Sequence, residues 1–336
     1  LCPDAIWTTP RFERYHELSR AVMDILYAES PLLEQVSIDE AFLDVTPGRF
    51  TGDDPVSIAT RIQEHVAELG ITCSIGVASC KTVAKIASDL DKPKGLTVVY
   101  PGSEAAFLAP MKVRVMPGIG KQSAKRLESM GIRTLGDLAN AKVEDLRSIF
   151  GVNSRAMHDR ALGIDERLIE TERIRKSVSH ERTFADDLTT RAEIEDAIDY
   201  VGSLVGRRLR RKQLAGHTVT LKLRYDDLSI RSAQQALPGN VDDEGIFIPV
   251  AKRLVSEIWQ EGDAVRLVGV GISGFDAQDE QLDLFASAGT EREGNDVIAA
   301  ADKVRDRFGD GALKFGRELK LKAKDTGTRG MNDGHL

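Results

Sequence analysis

The tract VSIDEAFLDV, residues 36–45, restricts the fold more than any other part of the chain. Val36, Ile38, Leu43 and Val45 favour extended backbone, and side chains along a strand alternate between its two faces. Asp39 and Glu40 are adjacent, so one unbroken strand would turn one of them into the core, where an unpaired carboxylate is expensive. The tract therefore predicts two short strands meeting at the acid pair. Two carboxylates at such a junction, close to Asp44, suit a hard divalent cation held through oxygen. A solvated turn is the ordinary alternative for an acid pair taken alone.

Around this tract the spacing of apolar residues predicts a mixed α+β unit ending near Tyr100. Tyr15, Leu18, Val22, Ile25 and Leu26 recur at helical intervals between Phe12 and Leu26. DDPVSIATRIQEHVAEL is an amphipathic helix with Pro55 near its start. ITCSIGVAS is strand-like, KTVAKIASDLDKPKG is a helix stopped by Pro93 and Gly95, and LTVVY is a closing strand. From Pro101 the chain becomes short helices punctuated by glycine, a small helical domain over 101–165. A charged stretch, 166–175, reads as a tether. A second α+β unit covers 176–276 in the order β-α-β-β-α-β. One face of its sheet carries helices, and the other should display Thr220, Lys222 and Arg224. Residues 277–336 are polar, with one apolar island, QLDLF.

The 336 residues carry a net charge of −7, which alone argues against nucleic acid. Placement matters more than the sum: RRLRRK, Arg207–Lys212, is a dense basic block. It serves equally well as a solvated helix end. No apolar run reaches the length of a membrane span. Cys2, Cys73 and Cys80 lack metal-ligand spacing and read as reduced thiols of a cytosolic protein.

Further motifs suggest phosphate chemistry. PGIGKQSAKRL reads as a helix-hairpin-helix: Gly118 and Gly120 allow a tight turn, and the helix from Lys121 offers free amides to a phosphate. A plain glycine turn between helices is the alternative. Lys222 and Arg224 on the open sheet face are candidates for phosphate contact. Gln281, Leu282, Leu284 and Phe285 form an apolar group in a polar tail, suited to a partner's pocket.

SIDEAFLDV resembles the palm signature of the Y-family DNA polymerases of the DinB, or DNA polymerase IV, type. SIGVASCKTVAKIASDLDKPKG is similar to the family's second palm block and PGIGKQSAKRLESMGIRTLGDL to its thumb. RKSVSHERTF and RLVGVGISGF are similar to the entry and final strand of its little finger. The resemblance implies a right-hand-like architecture: a partial palm at 1–100, a helix-hairpin-helix thumb at 101–165 and a little finger at 176–276. It implies a monomeric cytoplasmic enzyme, error-prone and without proofreading, that adds deoxynucleotides to a primer end past lesions. Asp39 and Glu40 match the acids that bind catalytic Mg2+, and Lys92 matches the lysine that touches the incoming triphosphate. Gln281, Leu282, Leu284 and Phe285 resemble the pentapeptide that holds the bacterial sliding clamp. Primer–template DNA, deoxynucleoside triphosphates and the clamp are the implied partners, with no membrane.

The resemblance also implies a preceding palm strand with another metal-binding aspartate, and a fingers domain, neither of which these residues contain. The expectation is therefore that the chain as given binds primed DNA but extends it poorly or not at all. A non-catalytic DNA- and clamp-binding remnant, or a UmuC-type repair protein, are the alternatives.

Overall fold

The computed structural model describes residues 2, 4–6, 8–49, 52–172, 174–275, 291–309, 312, 313 and 316. Two compact units divide the chain, Leu1–Arg173 and Ile174–Leu336.

In the first unit, α1 (Phe12–Glu29) leads into the hairpin of β1 (Leu33–Gln35) and β2 (Ala41–Leu43). Leu33 pairs with Leu43 and Gln35 with Ala41, so residues 36–40 form the connecting loop and the acid pair lies in it, as the tract requires. α2 (Pro55–Glu68) has proline at its first position, and Asp54 caps it by accepting hydrogen bonds from the amides of Val56 and Ser57. β3 (Ile75–Val77), α3 (Lys81–Leu90) and β4 (Leu96–Val98) form a β-α-β unit, with β3 and β4 parallel. Gly76 lets β3 lie directly on α3: a Cβ there would fall 2.0 Å from the carbonyl oxygen of Ala84. Ile58, Ile62 and Val66 of α2 form a small core against α1 and β2.

α3 also belongs to a second core. Val83, Ile86 and Ala87 pack with residues of the helical segment: α4 (Glu104–Leu108), α5 (Lys121–Ser129), α6 (Leu135–Asn140), α7 (Val143–Phe150) and α8 (Ser154–Ala161). Residues 163–170 are then fastened to the front of α3. No side chain of the N-cap residue Cys80 bonds the helix start. Instead Asp165 accepts from the amide (3.2 Å) and hydroxyl (2.6 Å) of Thr82, while Arg167 donates to the same carboxylate through two nitrogens. Burial opposes the charge on Asp165, but the hydrogen bonds from Arg167 and Thr82 outweigh it and hold the carboxyl well below its usual range. Lys81 reaches Glu34 and the carbonyl of Leu168, and the amide of Glu170 also donates to Glu34. The charged stretch read as a tether from residue 166 thus begins with residues held against α3.

The second unit contains β5 (Ser177–Leu188), α9 (Arg191–Arg211), β6 (Gly216–Tyr225), β7 (Ile230–Val241), α10 (Glu244–Ile258) and β8 (Val265–Ser273). This is the expected β-α-β-β-α-β succession, folded as an antiparallel sheet of order β5-β8-β6-β7. Val219, Leu221 and Leu223 of β6 and Val268, Val270 and Ile272 of β8 are buried under α9 and α10, with Phe247 fully enclosed. The capping box of Thr190 and Glu193 starts α9. After the undescribed residues 276–290, α11 (Glu291–Phe308) lies on the basic end of α9. Asp302 bonds Arg210 at 2.7 Å and Asp306 bonds Arg211 at 2.6 Å. Part of the RRLRRK block is therefore matched inside the unit. Among the described residues no helix is long and apolar enough to cross a membrane.

Candidate active site

The loop after β1 is tied to itself: the amides of Val36 and Ser37 both donate to the carbonyl of Glu40. This tight closure presents Asp39 outward and Glu40 half-exposed. The hydroxyl of Ser37 donates to Asp39 Oδ1 at 2.5 Å, and Lys85 of α3 donates to Glu40 Oε1. The second oxygen of each carboxylate has no hydrogen-bond partner among the described residues.

A cavity of about 700 Å³ opens behind the pair. Apolar side chains of α1, α2, β2 and β3 line it, and its charged lining residues are Asp39, Glu40, Lys85, Lys92 and Lys94. The structure thus gathers Asp39, Glu40 and Lys92, which are far apart in sequence, around one opening. Lys92 follows α3 in a turn held by Gln63, whose amide donates to the carbonyls of Gly95 (2.9 Å) and Lys94 (3.3 Å). The Lys92 ammonium lies 2.6 Å from Asp89 Oδ1.

Asp44 is a different matter. Its oxygens accept from the amide and hydroxyl of Thr46 and from Arg49, which together overcome burial and keep its carboxyl below the usual range. It closes a turn. Among the described residues no three His, Cys, Asp or Glu side chains come close enough to hold a metal ion. Asp39 and Glu40 nevertheless fit a hard cation that keeps most of its shell as water and phosphate oxygen, because such ions need only one or two protein carboxylates.

The glycine hairpin sits elsewhere in the same unit. A 3₁₀ turn, Val113–Val115, precedes it where the motif suggested a full helix. Met116 and Ile119 are buried, leaving Pro117, Gly118 and Gly120 outside. Gly118 has a φ of +94° and needs glycine's freedom; Gly120, the N-cap of α5, has a φ of −77° and does not. The value of Gly120 is openness: a Cβ there meets nothing within 4 Å, and no side chain caps α5. The first amides of α5, with exposed Lys121, are uncovered donors.

In the second unit, Thr220, Lys222 and Arg224 occupy the sheet face opposite the helices, half-buried. Lys222 is not a bare cation: its ammonium is 2.9 Å from both oxygens of Glu181, across Gly269 of β8. Arg224 lies 3.4 Å from the hydroxyl of Thr183. Gln281, Leu282, Leu284 and Phe285 lie outside the described residues.

Two residues of this site were not singled out from the sequence: Lys85, which holds Glu40, and Asp89, which holds Lys92. Their signal was the spacing Lys85, Asp89, Lys92, three charges of alternating sign at intervals of four and three residues, the first two on one face of α3 and the third in the turn after it.

Comparison with known proteins finds three family models along the chain. The impB/mucB/samB family matches residues 1–89, the C-terminal domain of that family matches 175–284, and the thumb domain of DNA polymerase-iota matches 114–165. A protein of Caulobacter vibrioides named DNA polymerase IV is 36% identical over 323 residues, 95% of this chain and 79% of that protein. One from Oceanobacillus iheyensis with the same name is 36% identical over 315 residues, 92% of this chain and 74% of its own. A solved Y-family DNA polymerase chimera of Dbh and Dpo4 superposes with a TM-score of 0.71 at 26% identity, covering 82% of this chain and 80% of its own.

Proposed function

Since the chain belongs to the DNA polymerase IV, or DinB, family of Y-family DNA polymerases, we propose that it carries out template-directed DNA synthesis past lesions through the site rimmed by Asp39, Glu40 and Lys92. The observation that carries this reading is the convergence of those side chains on one cavity mouth. Asp39 and Glu40 would hold a divalent cation, with Mg2+ the natural choice for carboxylate and phosphate oxygens. When bound, it offsets charge developing on the phosphate oxygens. Lys92 would meet the triphosphate of the incoming deoxynucleotide. The primer 3′-oxygen forms its bond to the α-phosphorus, the bond to pyrophosphate breaks, and the hydroxyl proton passes to solvent.

Primer–template DNA would be gripped without sequence preference, through phosphates. Gly118, Gly120 and Lys121 would offer the open amides and charge of α5. Lys222 would exchange Glu181 for phosphate, which exposed ion pairs permit at little cost. Binding of the sliding clamp by Gln281, Leu282, Leu284 and Phe285 rests on the sequence alone. Among the described residues only Asp39 and Glu40 pair at the site with no third acid beside them, which favours, as a second reading, a chain that grips DNA without catalysis.

Anisotropy of a labelled primer–template, with and without Mg2+ and each deoxynucleotide, tests the first reading. The nucleotide complementary to the template should tighten the complex, only with Mg2+, and Asp39→Asn should remove that effect while leaving binary DNA affinity intact. Equal responses to all four nucleotides would refute templated selection.

A further inference from the structure

α3 and the turn after it carry an alternating line of charge that ends at both working parts of the site. Lys85 donates to Glu40 Oε1 and lies 3.6 Å from Asp89 Oδ2. The other oxygen of Asp89, Oδ1, is 2.6 Å from Lys92. Glu40, Lys85, Asp89 and Lys92 therefore form one chain of ion pairs, from the acid assigned to the cation to the lysine assigned to the triphosphate.

We propose that Lys85 and Asp89 are positioning residues that couple cation binding at Glu40 to the release of Lys92 for phosphate. The inference rests on the reading of Asp39, Glu40 and Lys92 given above. A divalent cation and the Lys85 ammonium repel one another on the same carboxylate. Lys85 has a second acceptor ready, because closing the remaining gap to Asp89 needs only a change of side-chain rotamer. Once Asp89 carries Lys85, its hold on Lys92 weakens. That hold is a solvent-exposed pair, with 58% of the Lys92 side chain accessible, so it is easily exchanged. Lys92 is thus kept on Asp89 until the cation arrives and then becomes available to the phosphates. Coupling of this kind is reciprocal: phosphate that draws Lys92 away strengthens the cation site by the same factor. With exposed pairs as its links, the factor should be about two- to fivefold.

The test uses the full chain labelled uniformly with 15N, observing the ammonium signals of Lys85 and Lys92 and the backbone amides of Asp39 and Glu40 during addition of MgCl2 with no nucleotide present. Asp89→Asn is the informative variant, since Asp89 is about half exposed and its change leaves both cores untouched. In the wild type both signals should move with one midpoint. In Asp89→Asn the Lys85 signal should still move, while Lys92 should start in its released position and stay there. Lys85→Met should lower the Mg2+ midpoint about two- to fivefold, by removing the competitor, and Lys85→Arg should restore it. If Lys85 responds but Lys92 does not, or if Lys92 responds equally in Asp89→Asn, the coupling is wrong and the cation site stands. If neither lysine nor the amides of Asp39 and Glu40 respond, the cation site itself is wrong and the inference falls with it.

Discussion

Removing Asp165 should test how the first unit is held together. The carboxylate is only 2% exposed and does for α3, from 83 positions away, what an N-cap side chain normally does from within. Losing the bond to the Thr82 amide should cost about 1 kcal/mol, the usual worth of a cap. The charged bond to the buried Thr82 hydroxyl adds about 1–2 kcal/mol. The pair with Arg167 adds little, because that guanidinium is 46% exposed and returns to water. Asp165→Ala should therefore destabilise the unit by about 2–3 kcal/mol, read by urea unfolding and by faster hydrogen exchange of the α3 amides. Its pH dependence is a stricter check. The folded carboxyl titrates below its unfolded value, so its contribution is complete above the unfolded value and is lost as pH falls toward the folded one. The gap between wild type and variant should be constant above about pH 5 and shrink below about pH 4. A gap under about 0.5 kcal/mol, or one unchanged down to pH 3, would refute the assignment.

Gly76→Ala should force β3 off α3, since the new methyl meets backbone that cannot yield; a loss of about 3 kcal/mol is expected in thermal unfolding. Asp302→Asn should loosen α11 from Arg210, seen as earlier tryptic cleavage within Glu291–Phe308 with the sheet of the second unit intact. Lys222→Ala should weaken DNA of every sequence alike and lower the slope of log affinity against log salt by about 1; an unchanged slope would remove Lys222 from the interface.

The legible parts of this molecule are those where local period and local chemistry agree. HTVTLKLRY alternates without fault, and β6 buries Val219, Leu221 and Leu223 while turning Thr220, Lys222 and Arg224 to the other face. The adjacent acids in SIDEAF required a break, and residues 36–40 supply it. What stayed hidden depends on contacts distant in sequence. Nothing near Cys80 shows that Asp165 caps α3, because any well-placed acid could do so. Nothing in KTVAKIAS shows that Val83, Ile86 and Ala87 are shared with the core of the glycine-punctuated helices. A basic run such as RRLRRK looks the same whether its arginines face solvent or, as Arg210 and Arg211 do, the acids of a helix some ninety residues on.

The most direct measurement of the central claim is single-nucleotide primer extension by these 336 residues with Mg2+, beside Asp39→Ala. Slow, template-matched incorporation that requires Mg2+ and disappears in the variant is expected, with affinity for the primed duplex unchanged. Incorporation that continues at the same rate in Asp39→Ala would contradict the claim, because the cation and the chemistry would then lie elsewhere.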